Sequence, residues 1–176
     1  MEQNGSLMKF LRRCWTALRG FSNREAGASG RAEDYRSNVP SDFELTDPDD
    51  LLARFLFQKS HFKRTQNRAT PEAFMPPPDL NLSVYQITSL RHDEIWTLGR
   101  NVLQEHPQPR LYGRADLRVA ALHDQKLKAI RDDDPPRHVH VIGWPNYADG
   151  KDLMKSLAQQ LANSATLALL ETPLSK

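Results

Sequence analysis

The sequence predicts one layered domain of the α+β (or α/β) class, with short strands and about three main helices, preceded by an N-terminal amphipathic helix on a flexible linker. Short apolar runs of strand length are mixed with segments of helical periodicity, as in a layered domain. The 176 residues suffice for one such domain. Apolar residues make up 39% of the chain and charged residues 26%, which excludes a wholly disordered or collagen-like chain.

Residues 1–21 are predicted to form a basic amphipathic helix. Apolar residues recur at helical spacing, namely Leu7, Leu11, Cys14, Trp15 and Leu18. The basic residues lie elsewhere on the helical wheel, namely Lys9, Arg12, Arg13 and Arg19. A helix this short is marginal alone in water. Three interpretations therefore stay open: residues 7–21 dock on the chain's own domain or a protein partner, they are a frayed or mis-assigned start, or they lie on an anionic membrane surface.

Residues 22–46 are predicted to be a disordered linker, because small and polar residues dominate and aliphatic ones are scarce. An acidic stretch then meets a basic one: Asp42, Glu44, Asp47, Asp49 and Asp50 are followed by Arg54, Lys59, Lys63, Arg64 and Arg68. Between Asp50 and Glu72 no acidic residue occurs. Pairing of the two stretches with each other is the simplest explanation.

The globular domain is predicted to span residues 47–172. Asp47 as N-cap and Pro48 at the first helical position predict a short helix that carries Leu51 and Leu52. The elements expected next are Phe55–Phe57 as a helix end or strand, a polar loop over 58–72, a strand over 82–87, and a helix over 90–105 that Ser89 caps and that buries Ile95, Trp96, Leu98, Val102 and Leu103.

The second half of the domain is also predicted to contain both helices and short strands. The elements expected are a strand at Leu111 and Tyr112 that stops at Gly113, a helix over 115–123, a strand over 127–130, an exposed turn over 132–136, a strand over 137–142, a helix capped by Asp149 with Leu153, Leu157 and Leu161 on one side, and a last strand over 166–170. Among these residues Trp96, Leu98 and Leu157 are expected to be well buried.

Cysteine content and hydropathy indicate whether the chain can form a disulfide and whether it can span a membrane. Cys14 is the only cysteine, so an intrachain disulfide is excluded, and a cytoplasmic location is expected. No run approaches the ~18 apolar residues of a membrane span, so no transmembrane segment is expected. The sequence lacks phosphate-loop and dinucleotide-binding motifs, so no cofactor is predicted. The oligomeric state stays open.

The first candidate site is the basic segment that follows the apolar run at 55–57. Its candidate ligand-binding residues are Lys59, Ser60, Lys63 and Arg64, with Arg68 nearby, and His61 is a candidate general acid or base. Ser60 and His61 are adjacent in sequence, so their side chains diverge on a strand. A solvated basic loop, an anion or nucleic-acid contact and nucleophilic catalysis are the open interpretations.

The second candidate site is the strand that contains Arg137, His138 and His140. Residues at i and i+2 of a strand share a face, so the two imidazoles are expected side by side. Zinc sites take three or four protein ligands, and the aspartates at 132–134 are expected to be solvated, so no metal is predicted. The open interpretations are a polar site, with His138 as a candidate acid or base and Arg137 as a ligand-binding residue, and purely structural hydrogen bonding or solvent exposure.

The third candidate site is the segment Tyr112-Gly113-Arg114-Ala115-Asp116. A glycine turn at a helix start presents backbone N–H groups to an anion, and Arg114 would add its guanidinium donors. The competing interpretation is an Arg114–Asp116 ion pair or a helix cap.

Three strings, KSHFKRTQNRATPEAFMP, LYGRADL and PPRHVHVIGWP, resemble those of a group of short bacterial proteins. The resemblance covers about residues 51–170. It implies a compact bacterial cytosolic domain with a variable N-terminal extension, and it carries no catalytic residue over to this chain. In that group the position of His140 is often an amide residue, which argues against a metal at His138 and His140.

Two functions are compatible with these features. In the first, a small intracellular protein binds a nucleotide or nucleic acid where segment 59–68, Arg114 and the Arg137–His138 strand meet. Phosphotransfer or RNA processing would extend it, with His61 or His138 as acid or base and the arginines stabilising charge. In the second, a non-enzymatic interaction, adaptor or regulatory subunit docks through its N-terminal helix. Meeting of the candidate residues in one cleft favours the first function, and dispersal over the surface favours the second.

Overall fold

The structure, a computed structural model, describes residues 43–176. The N-terminal helix predicted for residues 1–21, and the predicted linker up to residue 42, lie outside the described residues. Glu44 bridges to Ile130, and the N–H of buried Leu45 donates to the Ala129 carbonyl at 2.9 Å. Glu44 and Leu45, which the sequence places in the linker, therefore already pair with the domain before its predicted start at Asp47.

The described chain forms one antiparallel sheet of six strands and a separate two-stranded hairpin, with helices beside them. The strands are β1 (Leu51–Leu56), β2 (Phe62–Lys63), β3 (Arg68–Ala69), β4 (Leu82–Gln86), β5 (Arg110–Arg118), β6 (Lys128–Arg131), β7 (His138–Ile142) and β8 (Thr166–Ser175). The helices are α1 (His92–Glu105), α2 (Val119–His123) and α3 (Tyr147–Ser164). The large sheet runs in the order β6-β7-β4-β1-β5-β8 and β2 pairs with β3, which confirms the predicted α+β domain with about three helices.

The large sheet is covered on both faces. On one face, residues such as Leu52, Leu56 and Val139 form a core with Met154 and Leu161 of α3. On the other, the α1 face, Ala53, Phe55, Tyr85 and Leu111 pack with Ile95 and Leu103 of α1. The alternation along each strand therefore assigns the candidate residues that lie on the large sheet, Arg114, His138 and His140, to the α1 face.

The helix predicted at Leu51 and Leu52 is wrong. These residues begin β1, a central strand hydrogen-bonded to β4 and β5. Asp47 instead closes a turn, accepting the Asp50 N–H at its carbonyl at 3.2 Å. Leu52 and Leu56 are buried on the face opposite Ala53 and Phe55. A strand that is buried on both faces has a nearly continuous apolar sequence. Periodicity alone does not distinguish such a run from a short buried helix.

The turn predicted at Gly113 and the helix predicted from residue 115 are also wrong. Strand β5 continues through Gly113 to Arg118, and only residues 119–123 are helical. A Cβ on Gly113 would lie 2.5 Å from the Ala168 carbonyl oxygen. Glycine at this position therefore permits the close approach of β8, beside a register shift between Leu111 and Gly113.

Both long helices start at residues other than the predicted caps. Helix α1 follows Arg91, whose N–H donates to Glu94 Oε2 at 2.8 Å, instead of Ser89. Helix α3 follows Asn146, whose side chain accepts from the Ala148 N–H at 3.3 Å, so the predicted start at Asp149 is too late. Trp96, Leu98 and Leu157, expected to be well buried, are half-buried.

The strands predicted near 82–87, 127–130, 137–142 and 166–170 are confirmed as β4, β6, β7 and β8. Strand β8 extends five residues beyond its predicted end. Within residues 43–176, none of the helices has the length and apolar character needed to cross a bilayer.

Candidate functional site

Residues 59–68 fold into a compact surface element, here called the basic hairpin. A 3-10 turn at Lys59–His61 leads into β2, a second 3-10 turn at Arg64–Gln66 and left-handed Asn67 (φ 46°) reverse the chain, and β3 returns. Its exposed cations are Lys59, Lys63, Arg64 and Arg68. Lys63 lies directly opposite Arg68 in the ladder. The segment predicted as a polar loop therefore concentrates four positive charges on an ordered turn.

The acidic stretch pairs elsewhere in the domain. Glu44 pairs with Lys128 at 2.9 Å, Asp49 with Arg118, and Asp50 accepts from Thr88 and Gln86 side chains. Within residues 43–176, no ion pair involves a cation of the basic hairpin. In this part of the chain, the expected pairing of the acidic stretch with the basic one does not occur.

Arg54, the first residue of the basic stretch, has a structural role. Its guanidinium donates to the Ala73 carbonyl at 3.0 Å and to the Ser83 carbonyl at 2.8 Å. Burial lowers its pKa to about 10. Arg54 therefore anchors the segment after the hairpin to the sheet.

Two aromatic rings lie close together where the basic hairpin meets the large sheet. The ring centroids of Phe62 on β2 and Tyr112 on β5 lie 5.8 Å apart, and both side chains are half-buried. Sequence reasoning did not identify this pair, because the two residues are 50 positions apart and meet only where the hairpin packs on the large sheet. Phe62 itself, between His61 and Lys63, carried a local signal of an aromatic residue among cations.

His61 lies at the base of the basic hairpin and is buried. Its N–H donates to the Gln58 carbonyl at 3.1 Å, and its carbonyl accepts from the Thr70 N–H at 2.9 Å. Burial and then the charge of Arg54 lower its pKa to about 4, so the imidazole is neutral at pH 7. Ser60 is exposed, with its hydroxyl 3.5 Å from Gln58 Oε1, so it is not paired with His61.

Arg114 lies on strand β5 instead of at a helix start, and its side chain points to the α1 face. Its Nε is 3.0 and 2.9 Å from the two carboxylate oxygens of Asp116, and its Cζ lies 4.8 Å from the Trp96 ring centroid. Burial raises the pKa of Asp116, and the Arg114 charge opposes that shift. The ion-pair interpretation of Arg114 and Asp116 therefore matches the geometry.

Arg137 closes the turn before β7 in a left-handed conformation (φ 68°). Its Nη1 lies 3.3 Å from the Gln86 carbonyl oxygen and 3.4 Å from that of Thr88. The guanidinium thus ties the turn to the end of β4.

His138 and His140 share the α1 face of β7, as predicted, and their ring centroids lie 4.6 Å apart. Asp132, expected to be solvated, contacts both: its Oδ1 is 2.8 Å from His138 Nδ1 and its Oδ2 is 2.8 Å from His140 Nε2. Burial lowers the pKa of His138, and the Asp132 carboxylate opposes that shift. These three residues are called the Asp132 cluster.

The structure does not bring the predicted site residues together in one cleft. The basic hairpin contacts β8 and α3, and Arg64 Nη2 lies 3.3 Å from the Leu170 carbonyl oxygen. Strand β7 is four strand spacings from β8, roughly 19 Å. The basic hairpin and the Asp132 cluster are therefore separate sites, and Arg114 lies in the sheet between them.

Comparison with known proteins adds no assignment: no protein-family model, no curated protein and no solved structure matches the chain.

Proposed function

We propose that this chain binds a phosphate-bearing ligand through the basic hairpin, and that single-stranded nucleic acid suits this surface better than a free nucleotide. The observation that carries the proposal is the set of four exposed cations, Lys59, Lys63, Arg64 and Arg68, without an acidic partner among residues 43–176. Cations that neutralise phosphates release condensed counterions, which drives binding to nucleic acid.

The register of the hairpin supports the same function. Lys63 and Arg68 face each other across a two-residue ladder, and like charges directly opposite are destabilising. A bound phosphate between the two side chains would convert this repulsion into two charge-assisted contacts.

The aromatic pair favours a strand with accessible bases. Phe62 precedes Lys63 on β2, and Phe62 and Tyr112 are each half-buried with their rings 5.8 Å apart, so a base could stack on the accessible part of the pair. Stacking on an aromatic side chain contributes about 1–3 kcal/mol per base and tolerates any sequence. Because the net charge of the whole chain is only +2, we expect moderate affinity confined to this patch.

The proposal concerns binding and includes no reaction. His61 is buried beneath the hairpin with a pKa of about 4, and Ser60 is not paired with it. Arg114 and Arg137 are engaged by Asp116 and by backbone carbonyls away from the hairpin. The adaptor hypothesis depends on residues 7–21, which lie outside the described residues.

Fluorescence anisotropy with labelled 12-nucleotide RNA and DNA single strands, and competition by ATP, test the proposal. Lys63→Ala/Arg64→Ala should weaken binding about tenfold or more, because two charge-assisted contacts are lost. Lys151→Ala/Lys155→Ala removes the same charge from exposed positions of α3 and should change affinity less than about twofold.

Equal weakening by the two double variants would reduce the effect to net charge and contradict a site at the hairpin. An absence of binding by the unmodified chain at low salt would reject the proposal outright. Competition by ATP as strong as by the single strands would assign the surface to nucleotides instead.

A further inference from the structure

We propose that the Asp132 cluster is a binding site for one divalent transition-metal ion, with two imidazoles and one carboxylate as protein ligands. The inference goes beyond the proposed function and does not depend on it. It rests on the geometry of three side chains that converge from one strand and one loop.

The ligand atoms are already close together. One nitrogen of each imidazole and one carboxylate oxygen all lie within 4.8 Å of one another. Around a tetrahedral zinc ion with ligands at 2.0–2.2 Å, ligand atoms are about 3.4 Å apart. Shifts of about an ångström or less would therefore bring the three atoms to coordinating distance around one ion.

The fold holds the three residues in place. His138 and His140 project from the same face of β7, which is paired with β4 and β6 on its two sides. Asp132 follows β6 directly, and the N–H groups of Asp132 and Asp133 both point to the His138 carbonyl at 3.3 Å. The Asp134 N–H lies 3.4 Å from Asp132 Oδ1. The loop between β6 and β7 thus turns the Asp132 carboxylate toward both imidazoles.

The contacts with Asp132 show which nitrogens would bind the ion. His138 Nδ1 and His140 Nε2 each lie 2.8 Å from a carboxylate oxygen of Asp132. The other ring nitrogen of His140, Nδ1, is buried without a hydrogen-bond partner among the described residues and would not contact the ion.

The donor set and its exposure indicate the class of ion. Imidazole nitrogen with a carboxylate oxygen suits zinc, iron and neighbouring transition metals, whereas Mg²⁺ and Ca²⁺ prefer all-oxygen sites. The side chain of His138 is 9% exposed, but those of His140 and Asp132 are 32% and 35% exposed. An ion here would keep open positions toward solvent for water or an oxygen ligand.

The test is titration of the full-length, untagged chain, freed of metal with EDTA and dialysed, with Zn²⁺ by calorimetry and with Co²⁺ by visible absorption. We expect one Zn²⁺ ion to bind per chain. We expect the visible absorption of Co²⁺ to change from that of the free aqueous ion when Co²⁺ binds to the chain. Mg²⁺ and Ca²⁺ should not compete. Asp132→Asn and His140→Asn should each weaken binding at least about tenfold, since loss even of an outer partner costs 10–100-fold.

The matched control is Asp133→Asn, an exposed neighbour in the same loop at φ 53°, a conformation that asparagine adopts readily. It should retain full Zn²⁺ affinity. Because Asp132 and His140 are both partly exposed, the two ligand variants are expected to fold, which circular dichroism checks. Failure of the unmodified chain to bind Zn²⁺ or Co²⁺ at about 100 μM, or unchanged binding in both ligand variants, would overturn the proposal.

The metal proposal and the nucleic-acid proposal fail separately. Nucleic-acid binding measured in EDTA tests the basic hairpin without a metal. Metal titration without nucleic acid tests the Asp132 cluster alone.

Discussion

Arg114 and Asp116 form an ion pair along one strand, with Arg114 Nε 2.9 Å from Asp116 Oδ2 and both side chains largely buried. The Trp96 ring covers the guanidinium from α1. The pair lies on the sheet face opposite the α3 core, where it joins the sheet to the helix. Of the two interpretations that the sequence left open for Arg114, anion binding and an ion pair with Asp116, the geometry favours the ion pair.

Replacement of Arg114 by alanine should destabilise the domain and leave nucleic-acid binding unchanged. Loss of one partner of a buried pair leaves the other charge uncompensated, and Asp116 is only 18% exposed. We expect a loss of about 3–5 kcal/mol in the free energy of unfolding, measured by urea titration. The double variant Arg114→Met/Asp116→Leu should recover most of it, because neither charge remains. Weakened RNA binding at unchanged stability would return Arg114 to the binding site.

The same substitution at two positions of α3 should have very different effects. Leu161 is fully buried, whereas Leu153 on the same helix is 58% exposed. Leu161→Ala should cost roughly 2–5 kcal/mol, from lost transfer free energy and the cavity left behind. Leu153→Ala should cost less than about 0.5 kcal/mol. Similar unfolding midpoints for the two variants would show that α3 packs through another face.

Stability should fall as the pH drops from about 6.5 to 4. The pKa of His61 is about 4 in the folded domain, because burial and then the charge of Arg54 lower it. Two smaller effects oppose each other: the charge of Glu72 raises this pKa and that of His106 lowers it. The unfolded imidazole, with a pKa near 6.5, therefore binds a proton in this interval that the folded one does not. His61 contributes a decrease of at most about 1.4 kcal/mol per pH unit. His106, with a pKa also lowered to about 4, acts in the same direction.

Urea unfolding at pH 7.5, 6 and 5 measures this dependence. His61→Gln should reduce the slope of unfolding free energy against pH. His123→Gln, at an exposed position of α2, should preserve it. An unchanged slope in His61→Gln would mean that the imidazole is protonated in the folded domain.

Elements with a local signature were predictable from the sequence, and those fixed by tertiary contacts were not. Strands β4, β6 and β7 alternate or end at turn residues, and sequence analysis located them. The Asp47-Pro48 pair carries the local chemistry of a helix start, yet the pairing of β1 on both sides prevailed. Gly113 reads as a turn residue, but its function is to let β8 approach.

The buried face of α3 shows the same limit. Leu153 and Leu161 are eight residues apart, so they point about 80° apart on a helix, and only Leu161 faces the core.

The limit also applies to the candidate sites. The spacing of His138 and His140 predicted their shared face. The third member of the cluster, Asp132, joins them only through the closure of the loop between β6 and β7, which no residue spacing reveals. The basic hairpin was visible as a charge run, whereas its lack of acidic partners within residues 43–176 required the structure.

The salt dependence of nucleic-acid binding tests the central claim, that Lys63 and Arg68 contact phosphate, most directly. The measurement is the slope of log Kobs against log salt concentration for a 12-nucleotide single strand. Each lost phosphate contact reduces the slope by about 0.7 for single strands, so Lys63→Ala/Arg68→Ala should make it less negative by about 1.4. The Lys151→Ala/Lys155→Ala control should keep the slope of the unmodified chain. An unchanged slope in Lys63→Ala/Arg68→Ala would contradict binding at the basic hairpin.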